Sequence, residues 1–293
     1  MKILIVGKGK SGQSKRLQEE AEKRGHVLAS CLATSLAIVS DKDTFVPTLP
    51  GIDLTSINVI YLLSLPKLRW DWYVVCDYLN KKYATKIVEK KIIDPNYKVF
   101  FSSASEYIKQ VENKIAFPKT VIMAGSKHLQ DYLSHFRFPL VVKNSYGQRG
   151  EGIHLAGSFA ELKNFIDADQ KSASFKIREY IPNNGDIRVF TVGYKAIGAI
   201  KRMSQTGDFR SNISLGGVGA KFDLSANPKV QEIAEKISQL TRSEIAGVDI
   251  IIHKDTEEIY VLEVNRGPQF LGLEKYAGVN VAQEIIKYFE TLV

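Results

Sequence analysis

Cysteine is almost absent. Only Cys31 and Cys76 occur, and neither has a near partner, so a disulfide-stapled scaffold and a zinc knuckle are both excluded. The five histidines are scattered without metal-ligand spacing. No apolar run reaches the roughly 18 residues a membrane span needs. No arginine-rich tract, internal repeat or low-complexity linker appears, which removes the simplest nucleic-acid and solenoid readings. The opening MKILIVGKGK is too short and too glycine-broken for a signal peptide and reads as a first strand. These absences point to a reducing, cytoplasmic setting with no membrane partner. What is present is 44% hydrophobic and 25% charged residues in a chain of 293, the balance of a globular protein large enough for two or three modules. A net charge of +8 favours anionic partners.

The pattern along the chain alternates strand and helix at first. KILIVG (2–7) is a buried strand, a polar helix follows from Ser11 to Arg24 with Gly25 as its stop, and HVLASCL and INVIYLL supply further strands. A turn-rich patch around Pro47, Pro50 and Gly51 separates these last two. An aromatic helix covers Trp70 to Leu79. This predicts a parallel sheet with helices on its faces over residues 1–95. A second module, 96–183, opens with a helix at 103–113, where Ser103 and Glu106 stand in capping-box register. It continues as a hairpin, FPLVVKN then GIHLA, around the glycine loop SYGQRGEG. A helix opened by Ser158 and Glu161 and the strand FKIREYI complete it. The third, 184–293, carries an antiparallel pair turning at Gly193-Tyr194 and an amphipathic helix from Pro228. The strands AGVDIIIH and EEIYVLEVN and a last helix near 280–289 follow.

Four segments carry chemistry. KRMSQTGDFRSNISLGG (201–217) gathers Lys201, Arg202 and Arg210 with Asn212 and three glycines around a single acid, a composition suited to holding an anion. Lys143 ends an apolar strand just before Gly147, Gly150 and Gly152. A lysine on a buried strand needs an anionic partner, and glycine-rich backbone beside it can lie over phosphates. Asp249, Glu263 and Asn265 form the strongest set. Glu263 and Asn265 are two apart on one strand and therefore share a face, with Asp249 on the neighbouring strand. Two carboxylates and an amide suit a hard cation such as Mg2+, which is commonly shared with nucleotide phosphates. GKGKSG (7–12) has dinucleotide-fingerprint spacing but lacks the acid that motif requires after the second strand. It reads first as a glycine turn, with Lys8 and Lys10 as candidate contacts to an acidic substrate.

Taken together, IAFPKT, PLVVKNSYGQRGEGI, REYI, GDIRVFTVG, IKRMSQTGDFRSNISLGG, IAGVDII and VLEVNRGP, in that order, resemble the RimK-like branch of the ATP-grasp ligases over most of residues 115–290. The resemblance implies an ATP-grasp fold behind an N-terminal Rossmann-like domain. ATP would lie between two α+β subdomains, with Lys143 on its phosphates and Glu179, Tyr180 and Ile181 as the adenine hinge. Asp186 would sit near the ribose end, and Arg188 would join the nucleotide contacts. Asp249, Glu263 and Asn265 would hold Mg2+, with Mn2+ as a substitute. Arg202 and Arg210, flanked by Lys201 and Asn212, would face the reacting carboxylate and γ-phosphate. The implied activity is amide formation through an acyl phosphate, joining an amino acid, glutamate first, to the carboxylate of a small molecule, peptide or protein tail. Departures are specific. Ser103 stands where the family often has a lysine, with Lys98 nearest, Gln148 replaces a common serine, and Arg266 after Asn265 is expected to reshape the acceptor pocket. A small-molecule kinase and a non-catalytic nucleotide- or RNA-binding module are the competing readings, and homo-oligomer formation is left open.

Overall fold

In the computed structural model, which describes all residues except 8, 10, 66, 95, 98–102, 145–151, 170, 173 and 204–217, the run KILIVG is strand β1 (Lys2–Gly7), buried from Ile3 onward. Helix α1 (Gly12–Lys23) follows. Ser11 caps it by accepting the Ser14 amide, and Gly25, at φ 73°, lies just past its end. Next come β2 (Val27–Leu32), β3 (Ala37–Ser40), β4 (Phe45–Thr48), β5 (Val59–Leu62), α2 (Arg69–Tyr83) and β6 (Lys86–Ile87). The sheet β2-β1-β5-β6 is parallel throughout, as strand–helix alternation predicts. The β3–β4 ribbon was not expected. Its proline, Pro47, reads as a breaker, yet a two-stranded edge ribbon can leave a position without an amide donor.

The second group comprises α3 (Ser103–Glu112), β7 (Thr120–Met123), α4 (Leu129–Leu133), β8 (Leu140–Asn144), β9 (Ile153–Ala156), α5 (Phe159–Ala168) and β10 (Phe175–Glu179). Its antiparallel sheet has the order β7-β10-β8-β9. Leu140, Val142, Phe175 and Ile177 turn one face toward Leu162 and Ile166 of α5. The opposite face of β8 and β10 therefore carries Val141, Lys143, Lys176 and Arg178. The capping-box expectation at Ser103 lies outside the described side chains; Glu106 on α3 is half-buried. Ser158 does cap α5, accepting the Glu161 amide at 3.3 Å.

The third group comprises β11 (Asp186–Val192), β12 (Lys195–Met203), β13 (Val218–Phe222), α6 (Pro228–Leu240), β14 (Ile245–Ile252), β15 (Ile259–Arg266), α7 (Leu271–Ala277) and α8 (Val281–Glu290). The strands form an antiparallel sheet in the order β13-β12-β11-β14-β15. One face is apolar: Ile187, Val189, Ala199, Val248 and Ile250 pack on Val230, Ala234 and Ile237 of α6. The other face is divided along its length. At one end Phe190, Val192, Ile200 and Ile245 join Phe270, Leu273 and the α8 residues Ile285, Ile286 and Phe289. That cluster continues into Ile3, Ile5 and Tyr61 of the parallel sheet. The C-terminal helix thus welds the first and third groups into one core. At the other end of the same face, each strand switches from apolar to charged residues, and the candidate site begins there.

Candidate functional site

Strand alternation and register bring Asp186, Arg188, Arg202, Asp249, Glu263 and Asn265 to this one charged end. Arg188 is opposite Asp249 on the β11–β14 pair, Asp186 opposite Arg202 on β11–β12, and Asp249 opposite Glu263 on β14–β15. Arg188 grips Asp249 with a planar fork, Nε donating to Oδ1 at 2.7 Å and a terminal nitrogen to Oδ2 at 2.6 Å. Arg202 is 5% exposed. It donates to Asp186 through Nε at 2.8 Å and also through a terminal nitrogen, which lies 3.1 Å from Asp249 Oδ1. Gly185 makes this approach feasible, because at φ 102° a Cβ would meet the Arg202 carbonyl at 2.4 Å.

Asp186 is buried beside Arg202, and the Arg202 guanidinium lies between two internal carboxylates. Both belong to a support layer that holds Asp249 in place. Lys201 falls away altogether: it is opposite Ile187 and Ala220, on the α6 side of the sheet. Arg266 also turns away from Asn265. It is opposite Ala246 of the α6 face, and its charge is felt by Glu89 and Lys91.

The Asp249, Glu263 and Asn265 trio is assembled. Asn265 Nδ2 donates to Asp249 Oδ2 at 3.1 Å and to Glu263 Oε1 at 3.2 Å, bridging the two carboxylates. This supplies a test of fit for a divalent cation. A carboxylate offers about four acceptor positions. Those of Asp249 go to Arg188 twice, Arg202 and the Asn265 amide, and only the last can be surrendered by turning that amide to present its oxygen. Among the described residues no cluster of three acidic, histidine or cysteine side chains exists that could hold a metal. Two carboxylates and an amide oxygen still match Mg2+, which typically leaves its other positions to water and phosphate.

The second sheet meets this trio. Lys143 Nζ lies 3.3 Å from Glu263 Oε2, across the gap between β8 and β15. Arg178 donates to the Leu262 carbonyl at 2.8 Å and to the Tyr107 hydroxyl at 3.0 Å. Burial alone would raise the Glu263 carboxyl, but Lys143, Arg178, Lys176 and Arg188 outweigh it and hold that group well below the ordinary carboxylate range. Lys176 and Arg178 were missed in the sequence. The signal was there, since FKIRE alternates apolar and basic residues. Burial lowers Lys176, with Arg178 adding to the effect, and burial raises Glu106 on α3.

The segment from Glu179 to Ile181 links the two sheets. The Glu179 amide donates to the Lys119 carbonyl at 3.1 Å, the Tyr180 amide to the Pro139 carbonyl at 3.2 Å, and Asn183 Nδ2 to the Ile181 carbonyl at 2.7 Å. Gly152, at φ 73°, lies against the Asn144 side chain and closes the β8–β9 hairpin. Gly147, Gly150, Arg210 and Asn212, like Lys8, Lys10, Lys98 and Gln148, lie outside the described residues. The GKGKSG turn approaches the end of β15 through Gln13, whose Nε2 donates to the Pro268 carbonyl at 2.8 Å.

A family model described as the RimK-like ATP-grasp domain matches residues 106–289, well over half of the chain. The chain belongs to the RimK-like ATP-grasp family. Among curated relatives, a probable alpha-L-glutamate ligase 1 of Shewanella oneidensis is 36% identical over 158 residues, covering 53% of this chain and 51% of the relative. A probable alpha-L-glutamate ligase of Legionella pneumophila is 36% identical over 155 residues, covering 52% and 50%. The chain spans about half the length of the curated relatives it matches. Solved structures align over nearly the whole RimK-like chain. The ATP-grasp ligase PsnB complexed with minimal precursor has a TM-score of 0.72 at 14% identity, covering 99% of both chains. The macrocyclase MdnC from Microcystis aeruginosa, bound with its precursor peptide MdnA, has 0.70 at 16%, covering 99% and 100%. At such identities the likeness establishes the ATP-grasp fold, N-terminal parallel sheet included. No helix among the described residues is long and apolar enough to cross a membrane.

Proposed function

We propose that this chain is an ATP-dependent carboxylate–amine ligase. It activates an acceptor carboxylate as an acyl phosphate and joins it to an amino acid, glutamate first. The observation that carries the reading is the meeting of Lys143 with the Asp249–Glu263–Asn265 trio across two sheets in a RimK-like ATP-grasp chain. Asp249, Glu263 and Asn265 would hold Mg2+, or Mn2+ in its place, and the ion would neutralise triphosphate charge. Lys143 binds a phosphate oxygen. Glu179 to Ile181 set the nucleotide against the hinge, and Arg188 and Arg202 lock the Asp249 carboxylate in one orientation. The residues of the chain thereby position reactants and balance charge, and no serine or cysteine nucleophile is needed.

On this reading residues 1–95 form the substrate-selecting domain, 96–183 the glycine-loop subdomain and 184–293 the metal-bearing subdomain. The curated relatives named as glutamate ligases favour an amino-acid donor, and the peptide-bound ATP-grasp structures favour a peptide acceptor. The test is ADP release measured against a panel of amino acids and acidic peptides, with mass spectrometry of the products. A ligase releases ADP only when acceptor and amine are both present, and hydroxylamine diverts its intermediate to a hydroxamate. A stable phosphorylated product instead would establish a kinase.

A further inference from the structure

Lys176 stands directly opposite Lys143 on the β10–β8 pair, and both side chains leave the apolar core on the same face of their sheet. Like charges directly opposite on neighbouring strands repel. Lys143 has an answer in Glu263, 3.3 Å away. Lys176 does not. Its ammonium lies 5.6 Å from the centre of the Tyr107 ring, and among the described residues it has no hydrogen-bond acceptor and no carboxylate oxygen in ion-pair range. The two acids that face it, Glu106 from α3 and Glu263 from β15, act on it only through space. Glu263 is already shared by Lys143 and Asn265. Arg178, next on the same face, is committed to the Leu262 carbonyl and the Tyr107 hydroxyl. A partly buried ammonium without an oxygen partner, set against a second ammonium, costs stability. Such an arrangement persists where a ligand supplies the missing charge.

We propose that Lys176 is a second phosphate-binding lysine, completing with Lys143 a two-lysine clamp for the polyphosphate of the nucleotide. The assignment rests on the ATP-dependent reading of the site and adds a residue to it. The Lys143 and Lys176 ammonium groups converge on one anion whose charge relieves their mutual repulsion, while Glu263 leaves room beside Lys143 for the cation that accompanies the nucleotide.

The test is calorimetric binding of ATP, ADP and adenosine, with Mg2+, to the wild-type chain and to Lys176→Met and Lys176→Arg, together with Tm without nucleotide. Lys176→Met should weaken ATP and ADP by about 10- to 100-fold, the size of a lost charge-assisted contact, and leave adenosine unchanged. Its nucleotide-free Tm should hold or rise, because the repulsion between two ammonium groups on opposed strand positions is gone. Lys176→Arg should stay within about threefold of wild type, since it keeps the charge. Unchanged ATP affinity in Lys176→Met would overturn the clamp. So would a lowered Tm or loss of fold, or an equal loss of adenosine binding, since the side chain would then be holding the protein rather than the phosphates. A wild-type chain that binds no ATP would overturn the ligase reading itself, an outcome separate from failure of the clamp in a chain that does bind.

Discussion

Lys143 Nζ lies 3.3 Å from Glu263 Oε2, joining residues 120 positions apart and linking the sheet of β8 to the sheet of β15. The pair is half-open, with 35% and 29% of the two side chains exposed, so both groups remain reachable from the cleft. A contact of this kind holds the two sheets together and can be redistributed when a phosphate and a cation arrive.

The first prediction concerns the Asp249–Glu263–Asn265 trio. Glu263→Gln and Asn265→Ala should each lower ADP release by on the order of 100-fold while moving the urea midpoint little, because on the proposed reading both would act through a cation. Unchanged turnover in either variant would remove the trio from the site.

Arg202 should behave in the opposite way. It is buried between Asp186 and Asp249, so Arg202→Met breaks a buried ion pair and should cost about 3–5 kcal/mol of unfolding free energy. Urea denaturation measures this directly. A stable Arg202→Met with lost activity would return Arg202 to a catalytic role.

Lys201 supplies a control. It points to the α6 face, away from Asp249. Lys201→Ala should keep ADP release within about twofold of wild type, the usual scale of a surface change. A collapse of turnover would mean that the face assignment is wrong.

The last prediction is a pH dependence. Glu290 on α8 accepts from Arg24 and faces His26, and these hydrogen bonds hold its carboxyl at about 2 rather than the ordinary 4.5. A depressed carboxyl stabilises the fold fully above its unfolded pKa and loses that contribution as pH falls through the folded value. The Tm advantage of wild type over Glu290→Gln should be constant near neutrality and shrink from about pH 4.5 toward pH 2. An advantage that does not change with pH over that range would show that the contact is not ionic.

Much of the site was legible in local pattern. Alternation in VLEVN is enough to place Glu263 and Asn265 on one face, and the same rule separates Lys201 from Arg202, neighbours that must point opposite ways. The short elements β7 and α4 were not legible, because four or five residues give too little periodicity to register. The support layer was invisible for another reason. Arg188 meets Asp249 across 61 residues, and nothing local to either strand names its partner.

By itself the sequence determined most of the longer strands and helices, the parallel opening sheet and the shared face of Glu263 and Asn265, because each depends on periodicity within a few neighbouring residues. Tertiary structure alone decided which charges meet: Arg202 with Asp186, Lys143 with Glu263, and Lys176 opposite Lys143. Those pairings follow from strand register and sheet-to-sheet packing, which are set by contacts between segments far apart in the chain.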